Sequence, residues 1–223
     1  MTLGVLADAV LSALLAPPCA VCGVVLERPL CGAVCEPCWS SIARLPALFS
    51  LETISRAQSL GAYEGALREI LHALKYDGRR SIAARLSSLM AAHSKALLSD
   101  ADAVVPVPLH RRRKRERGFN QAEALAQGLQ RPVWPVLRRV RATRAQVDLP
   151  ADARRRNVAQ AFALRSHWFG GHGSPALAGR TLVIVDDVAT TGATLVACAR
   201  VLYAAGVREV RAVTAARVVS GPR

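Results

Sequence analysis

The chain has 223 residues, 52% of them apolar, and a formal net charge of +14 at pH 7. This length suits one moderate domain or a domain with a small added module, and the apolar content is enough for a sizeable core. The charge implies anionic partners, which could be a polyphosphate ligand, nucleic acid or an anionic membrane surface. No segment offers the ~20 apolar residues that a spanning helix needs, so we expect no membrane span and a cytoplasmic protein.

The first segment, Thr2–Ala16, has apolar residues at helical spacing. It carries Asp8 and lacks a basic leader, which argues against a signal peptide, with a cleaved leader as the alternative interpretation. We predict an amphipathic helix that packs on the module that follows it.

Five of the six cysteines lie between Cys19 and Cys38. The two CxxC pairs, Cys19/Cys22 and Cys35/Cys38, can place four thiolates tetrahedrally around Zn²⁺. Four thiolates leave no open coordination position, so the predicted zinc site is structural. Cys31 could replace one of these ligands, act as a reactive thiol or simply pack, and these alternatives stay open.

The middle of the chain predicts a short strand at Ser59–Tyr63 and two helices, Glu64–Tyr76 and Arg79–Leu97. A second apolar strand begins at Ala103 and ends in a loop marked by prolines. The segment after this loop is strongly basic, since six of the seven residues Arg111–Arg117 are arginine or lysine. We interpret it as a basic loop, which is followed by a helix over 122–129.

The most informative stretch is LVIVDDVATTGAT, Leu182–Thr194. It predicts a buried parallel strand that ends in Asp186 and Asp187, at the edge where open α/β sheets bind ligands. The loop Thr190–Thr194 then precedes a helix over Leu195–Ala205, and its glycine, hydroxyls and free N–H groups suit an anion. The carboxylates can accept hydrogen bonds from hydroxyl groups or from a hydrated metal, and the loop beside them can bind a phosphate. Together these features favour a sugar phosphate as the ligand.

Two other nucleotide-binding motifs and one purely structural interpretation compete with that one. A strand ending in Asp-Asp is also typical of P-loop ATPases, but the chain contains no GxxxxGK[ST]. The GxGxxA-like run Gly171–Ala176 follows a loop and carries a proline, so its context does not fit a dinucleotide site. The third interpretation is an ordinary strand and helix in which the two aspartates only shape the turn.

A final strand is predicted over Val210–Arg217, after a helix-stop signal at Ala205-Gly206. Strands that alternate with helices predict the α/β class, with a parallel sheet and helices on both of its faces.

Leu182–Thr194 resembles the 5-phosphoribosyl-1-pyrophosphate (PRPP) signature of the type I phosphoribosyltransferases, with Ala189 smaller than the usual apolar residue. Further segments resemble, in the same order, the ComF family of competence-associated proteins. They are the paired CxxC motifs, Gly61–Arg80, Val105–His110, Arg115–Ala126 and Arg141–Phe162. The resemblance implies a type I phosphoribosyltransferase-like domain over 51–223, preceded by an N-terminal helix and zinc-ribbon module over 1–50.

The resemblance also implies roles for residues in binding PRPP with Mg²⁺. Asp186 and Asp187 would hold the ribose hydroxyls, and the loop after them the 5′-phosphate. The proline-marked loop would hold pyrophosphate, under a mobile cover formed by the basic segment, and Lys75 would reach the same anion. The implied PRPP-binding residues are Thr190, Thr191, Gly192, Ala193, Thr194, Pro106, Pro108, His110, Arg113, Arg117 and Lys75.

Two functions are consistent with these features. The first is an enzyme that transfers the phosphoribosyl group of PRPP, and the family resemblance links it to competence and DNA uptake. The second is a non-catalytic protein that senses PRPP or a nucleotide and binds single-stranded DNA or a DNA-processing partner during natural transformation. Its candidate nucleic-acid residues are Arg111, Arg112, Arg113, Lys114 and Arg115.

The DNA-binding hypothesis gains from two more basic groups, Arg138–Arg141 and Arg154–Arg156, although none of the basic groups has interleaved aromatic residues. Gln146 and Asn157 could contact a ligand or cap turns. Relatives with this domain commonly dimerise, so the resemblance also implies a homodimer. The sequence does not indicate the acceptor of a phosphoribosyl group.

Overall fold

The structure is a computed structural model, and it describes residues 17–27, 32–140, 161–165 and 177–219. The predicted N-terminal helix, Cys31, Gln146, Asn157, the Arg154–Arg156 group and the GxGxxA-like run lie outside the described residues. Helices are found at α1 (Glu36–Ser40), α2 (Gly65–Tyr76), α3 (Ser81–His93), α4 (Lys95–Leu98), α5 (Arg111–Arg117), α6 (Gln121–Gln127) and α7 (Ala193–Ala204). Strands are found at β1 (Phe49–Leu51), β2 (Ile54–Ala62), β3 (Ala103–Pro106), β4 (Leu137–Arg139), β5 (Phe162–Leu164), β6 (Thr181–Ala189) and β7 (Glu209–Arg217).

Five strands form the central sheet, in the order β1–β2–β7–β6–β3. β2, β7, β6 and β3 are parallel, and the short β1 pairs antiparallel with the outer edge of β2. β6 lies inside the sheet, where Ile184 faces Val105 on one side and Ala212 on the other. Because the four strands are parallel, their carboxyl ends meet at one edge, which is where ligands bind in folds of this class.

Alternate side chains of the sheet enter two separate apolar cores. Val183 and Val185 of β6 lie in the core that α2, α3 and α6 cover. Leu182 and Ile184 of β6 lie in the opposite core, which α7 and the β4–β5 hairpin cover. The alternation follows from the two-residue period of a strand. The predicted α/β class, a parallel sheet with helices on both faces, is therefore confirmed, with β1 as an added antiparallel strand.

The basic segment Arg111–Arg117 is a helix, α5, so its interpretation as a loop is wrong. The side chain of His110 accepts a hydrogen bond from the backbone N–H of Arg112 and so caps the start of the helix. Arg112 and Glu116 form an ion pair four residues apart, and Gly118 ends the helix with φ at 74°. Arginine, lysine and glutamate are good helix formers, and these local interactions decide in favour of the helix.

Other boundaries differ from the predicted ones. The predicted helix Arg79–Leu97 is two helices, α3 and α4, that meet at Ser94. β2 begins at Ile54, well before the predicted strand, because it pairs with β1 from Ile54 and with β7 from Ala57. The β4–β5 hairpin has no local turn signal, since its two strands are separated by more than twenty residues along the chain.

The cysteine-bearing segment packs against the helices that follow it. Trp39 of α1 lies in the same apolar core as α2 and α3. Arg85 of α3 places its guanidinium 5.3 Å from the centre of the Trp39 ring and pairs with Glu36. Arg79 donates to the carbonyl of Pro18, next to the first cysteine. The division of the chain at residue 50 stays a prediction, because these contacts cross it.

No helix within the described residues has the length and the apolar character that crossing a bilayer requires.

A buried arginine joins the amino end of the sheet to the helices. Arg211 of β7 is 2% exposed and donates to the carboxylates of Asp100 and Glu209 and to the backbone carbonyl of Leu97. The Arg211 guanidinium hydrogen-bonds to Asp100 and holds the pKa of that carboxyl well below its usual range. Leu97 is 1% exposed, so removal of the arginine takes a hydrogen-bond donor from a buried carbonyl.

We expect Arg211→Ala to lower the free energy of unfolding by about 2 kcal/mol, because it removes hydrogen bonds to charged and buried groups. Urea denaturation of the variant and the wild type measures this difference. Arg200→Ala, which removes an exposed ion pair with Glu52, serves as the control and should cost less than about 1 kcal/mol. Equal losses in the two variants would contradict a special role for Arg211.

Candidate functional site

Two adjacent carboxylates stand at the carboxyl edge of the sheet. The first five residues of β6 are buried, and the strand becomes partly exposed from Asp186 to Val188. The backbone N–H of Asp187 donates to Oδ1 of Asp186 at 2.9 Å, which orients the first carboxylate. The strand continues through both aspartates because Asp186 and Val188 still pair with β7. The predicted catalytic pair therefore lies inside the strand, at the sheet edge where the sequence placed it.

Lys75 reaches this pair from the last turn of α2. Its Nζ lies 2.9 Å from Oδ1 of Asp187, and the two side chains are only 14% and 15% exposed. A pair with so little solvent around it is screened less than a surface ion pair. The structure thus brings the predicted lysine into direct contact with the predicted acidic pair.

Asp186 has a perturbed pKa. Burial, followed by the nearby Asp187 carboxylate, raises the pKa of Asp186 to about 7, against the opposing charges of Lys75 and Arg139. Two carboxylates that share a partly buried site resist losing both protons. A group that titrates near neutrality in a cleft is a mark of a functional site.

Arg139 belongs to this site, and the sequence interpretation missed it there. It extends from β4, stacks 5.2 Å from the centre of the Phe162 ring of β5, and lies within the electrostatic reach of Asp186. Burial, together with the charge of Arg113, lowers the pKa of Arg139. In the sequence it stands in a basic group taken as a nucleic-acid patch. No local signal could reveal its position, because the position depends on pairing between β4 and a distant strand.

The predicted phosphate loop, Thr190–Thr194, lies directly after β6. Gly192 has a φ of 74°, and α7 begins at Ala193, so the loop leads into a helix of 12 residues. Thr191 caps it weakly, accepting from the N–H of Ala193 at 3.4 Å. A Cβ on Gly192 would lie 2.5 Å from a methyl group of Leu51, so only glycine fits both the conformation and the contact. The first N–H groups of such a helix favour an anion.

The loop after β3 is fixed against β6. Val107 donates to the carbonyl of Val185, and its own carbonyl accepts from the side chain of Asn120. Asn120 is 3% exposed and also caps α6 by accepting from Ala122. Pro106 at the end of β3 and Pro108 in this loop are both buried. Asn120 is a positioning residue that was not singled out, although an asparagine just before a helix is a recognised capping signal.

The remaining predicted ligands on α5 point in different directions. Arg113 is partly buried and lies near Arg139, whereas Arg111 and Arg115 are exposed. Arg117 stacks 5.0 Å from the centre of the Tyr76 ring and donates to Tyr76 Oη and to Gln121. Nδ1 of His110 already accepts from the backbone of Arg112. Of the predicted basic ligands, Lys75 thus contacts the acidic pair, and Arg113 lies near Arg139.

The four cysteines Cys19, Cys22, Cys35 and Cys38 form one cluster, with all sulfur atoms within 4.8 Å of one another. The Sγ atoms of Cys22 and Cys35 are 3.6 Å apart, close to the ~3.8 Å expected between ligands of a tetrahedral Zn–thiolate site. The backbone N–H groups of Val21 and Cys35 point at Sγ of Cys19. Burial raises the pKa of the Cys19 thiol, but backbone hydrogen bonds from Cys22, Cys35 and Val21 outweigh it and lower the pKa to about 6. This donor set fits zinc.

Comparisons with known proteins agree with this architecture. A model of the phosphoribosyl transferase domain matches residues 115–222. The DNA utilization protein YhgH of Escherichia coli K12 is 35% identical over 185 residues, 78% of this chain and 75% of the relative. Competence protein ComFC of Bacillus subtilis is 30% identical over 187 residues, 80% of this chain and 72% of the relative. Competence protein F of Haemophilus influenzae is 36% identical over 117 residues, 49% of this chain and 48% of the relative.

The chain belongs to the ComF family. The predicted resemblance is confirmed, and the matched domain contains β6, the acidic pair and the loop that follows them. The cysteine cluster ahead of this ComF domain is consistent with a zinc module.

We predict a pH dependence of stability that originates at Asp186, measured without Mg²⁺. The folded pKa of about 7 lies above the unfolded value of about 3.9, so the native chain binds more protons between these values. The free energy of unfolding should therefore fall as the pH rises from about 4 to about 7. Between pH values of about 5 and 8, the free energy of unfolding of Asp186→Asn should rise by about 1–2 kcal/mol relative to that of the wild type, after discounting for partial exposure.

Asp102→Asn provides the control for this titration. Hydrogen bonds from the backbone N–H of Thr181 and the side chain of Arg180 lower the pKa of Asp102. The stability that Asp102 contributes is therefore fully present above the pKa of this carboxyl in the unfolded chain. The stability offset of this variant should stay constant over the same pH window. Parallel behaviour of the two variants would show that Asp186 does not titrate there.

Proposed function

We propose that the carboxyl edge of the sheet binds PRPP together with Mg²⁺. The observation that carries this proposal is the contact of Lys75 with the Asp186–Asp187 pair, a few residues before a glycine-containing loop at the start of α7. Carboxylates suit the vicinal hydroxyls of a ribose, and the helix start suits its 5′-phosphate. A sugar phosphate uses both features, whereas a free base uses neither.

The residues of the site fit Mg²⁺ as a companion of the ligand. Magnesium is usually held by one or two carboxylates together with substrate phosphates and water, and Asp186 and Asp187 supply such carboxylates. When bound, Mg²⁺ would offset negative charge on the diphosphate. Lys75 shares this task in our proposal, and binding of the metal or the ribose must compete with its contact to Asp187.

We further propose transfer of the phosphoribosyl group. Departure of pyrophosphate leaves positive charge on the sugar and adds negative charge to the leaving group. Lys75 contacts Asp187, Arg139 lies within electrostatic reach of Asp186, and Arg113 lies near Arg139, so this positive charge can stabilise that departure. The loop of Pro106, Pro108 and His110 borders the same edge beside β6. The chemistry then depends on positioning and charge, and no residue here is assigned as a general base.

The biological setting is also a proposal. The relatives are named for DNA utilization and competence, and we propose that this chain acts in the handling of incoming DNA. A cytoplasmic location and a homodimer remain part of the same proposal.

Calorimetric titration of PRPP and Mg²⁺ into the zinc-loaded protein tests the binding site. We expect micromolar binding that Asp186→Asn/Asp187→Asn weakens at least tenfold, because the ribose hydroxyls lose their charged acceptors. The control is Glu64→Gln/Glu69→Gln, which removes two exposed carboxylates near and on α2 and should leave the affinity within about twofold of wild type. Failure of the wild type to bind PRPP would contradict the proposed function.

For the cysteine cluster we propose a structural zinc ion held by Cys19, Cys22, Cys35 and Cys38. Metal analysis should find one zinc per chain in the wild type. Cys22→Ser, which changes an exposed ligand, should lose the metal and lower the melting temperature, since metal binding contributes directly to folding. Cys198→Ser changes a buried thiol within α7 and should retain the zinc. Full zinc content in Cys22→Ser would exclude this ligand set.

A further inference from the structure

The cysteine cluster has one side that faces solvent. Cys22 is exposed and Cys35 is partly exposed, whereas Cys19 and Cys38 are buried. The Sγ atoms of Cys22 and Cys35 lie 3.6 Å apart. The most accessible thiol of the cluster therefore lies beside a thiol of the other CxxC pair, where a small reagent can reach it from solvent without opening the core.

This geometry suits the formation of a disulfide. The susceptibility of a thiol to oxidation follows its thiolate character and its exposure. A metal ligand is held as a thiolate, so the proposed zinc site would keep Cys22 in its reactive form. The two sulfur atoms need to approach by only roughly 1.5 Å to reach the bond length of a disulfide. Burial raises the pKa of the Cys198 thiol, so this cysteine lacks both exposure and thiolate character.

The segment that carries these cysteines supports α2. Trp39 of α1 is 5% exposed and shares an apolar core with Leu67 and Leu71 of α2. Lys75, one turn after Leu71, contacts Asp187 of the acidic pair. The cysteine cluster and the acidic pair are therefore joined by the packed side chains of one helix of 12 residues.

We propose that Cys22 and Cys35 are a redox modification site: a peroxide oxidises them to a disulfide, and the modified chain binds its ligand more weakly at the carboxyl edge of the sheet. The modification rests on the proposed zinc site, and its effect on the ligand rests on the proposed function. The probe of the peroxide class is hydrogen peroxide.

The oxidation takes place in two steps. The Cys22 thiolate attacks one oxygen of hydrogen peroxide: an S–O bond forms, the O–O bond breaks, and the hydroxide that leaves takes up a proton to become water. The Cys35 thiolate then attacks the sulfur of Cys22: the S–S bond forms, the S–O bond breaks, and a second hydroxide leaves and takes up a proton. Two thiolates thus lose two electrons, and one peroxide gains them and becomes two waters.

The disulfide removes two of the four thiolates from the metal site. Cys19 and Cys38 remain, and two ligands are too few for a structural zinc site, so the chain releases the metal. Metal binding contributes directly to folding, so its loss loosens α1 and the contact of Trp39 with α2. Lys75 at the end of α2 is then held less firmly against Asp187.

The rest of the domain keeps its packing in the oxidised chain. Ile70 and Leu74 of α2 are fully buried in the core that also contains Val183 and Val185 of β6. None of these contacts involves the cysteine segment. We therefore expect α2 to loosen without unfolding of the sheet.

The first measurement is the release of zinc from the full-length, zinc-loaded chain during exposure to hydrogen peroxide, followed with a chromogenic metal chelator. The wild type should release about one zinc per chain, and mass mapping of its peptides should find a disulfide between Cys22 and Cys35. Dithiothreitol and added zinc should restore the metal. A disulfide that joins Cys22 to any other cysteine, or zinc release without a disulfide, would overturn the assignment of this pair.

Variants that keep a metal ligand but remove one thiol test the pair directly. Cys22→His and Cys35→His should each retain zinc, because imidazole is a common zinc ligand, and should slow peroxide-driven release about tenfold. Cys198→Ser leaves the cluster intact and should release zinc within about twofold of the wild-type rate. Metal analysis before oxidation shows which variants are loaded, and the disulfide map of the wild type decides where a histidine variant is not. Equal release rates in loaded Cys22→His and the wild type would contradict the proposal.

The effect on the ligand site is measured in two ways. Calorimetric titration of PRPP and Mg²⁺ should show about fivefold weaker binding to the oxidised chain than to the reduced, zinc-loaded chain. The titration is made at a temperature where circular dichroism shows that both forms are folded. Amide hydrogen exchange should become faster in α2 but not in α7. Unchanged PRPP affinity after complete oxidation would overturn the proposed effect on the ligand.

The oxidation and the proposed function fail separately. If the reduced, zinc-loaded chain does not bind PRPP, the proposed function is wrong, while zinc release, the disulfide map and hydrogen exchange still test the oxidation and its effect on α2. If the reduced chain binds PRPP but peroxide forms no disulfide between Cys22 and Cys35, only the proposed modification site is wrong.

Discussion

The site depends on the placement of two adjacent carboxylates at the end of an inner strand. Burial and mutual repulsion make this placement costly, as the raised pKa of Asp186 shows. The structure offsets the cost with cations from two unrelated elements, Lys75 at the end of α2 and Arg139 on β4. The acidic pair thereby interacts with both the end of α2 and the β4–β5 hairpin. The same charges that stabilise the acidic pair are those that the proposed diphosphate ligand would need.

This arrangement links the cysteine cluster to the acidic pair through α2. Leu67 and Leu71 of that helix share a core with Cys38 and Trp39, while Lys75 at its end contacts Asp187. The cysteine segment has too few apolar residues to form a core alone, so a metal is a reasonable means of keeping it rigid. A rigid cysteine segment in turn fixes one side of α2. A metal held by the four cysteines would therefore stabilise the segment against which α2 packs, independent of any contact with a ligand.

The sequence was most informative where local chemistry and fold agree. The apolar run before Asp186, the glycine at position 192 and the paired CxxC motifs each predict local structure from neighbouring residues, and the strand, the helix start and the cluster were found there. It was least informative where contacts join distant segments. Arg139 reaches Asp186 only because β4 pairs with β5, and Phe119 meets Arg80 only because α3 lies beside α6. Arg111–Arg117 was misjudged for another reason: its charge suggested a loop, while its capping residues and helix propensities specified a helix.

The helical form of α5 changes what its charges can do. In a loop all six basic side chains could gather over one ligand. A helix distributes them around its axis at about 100° per residue, so neighbours face different directions. Arg113 lies near Arg139, Arg117 stacks on the ring of Tyr76, and Lys114 pairs with Glu123 of α6. One short helix therefore directs its basic side chains to separate parts of the molecule, so its six positive charges cannot all act on one ligand.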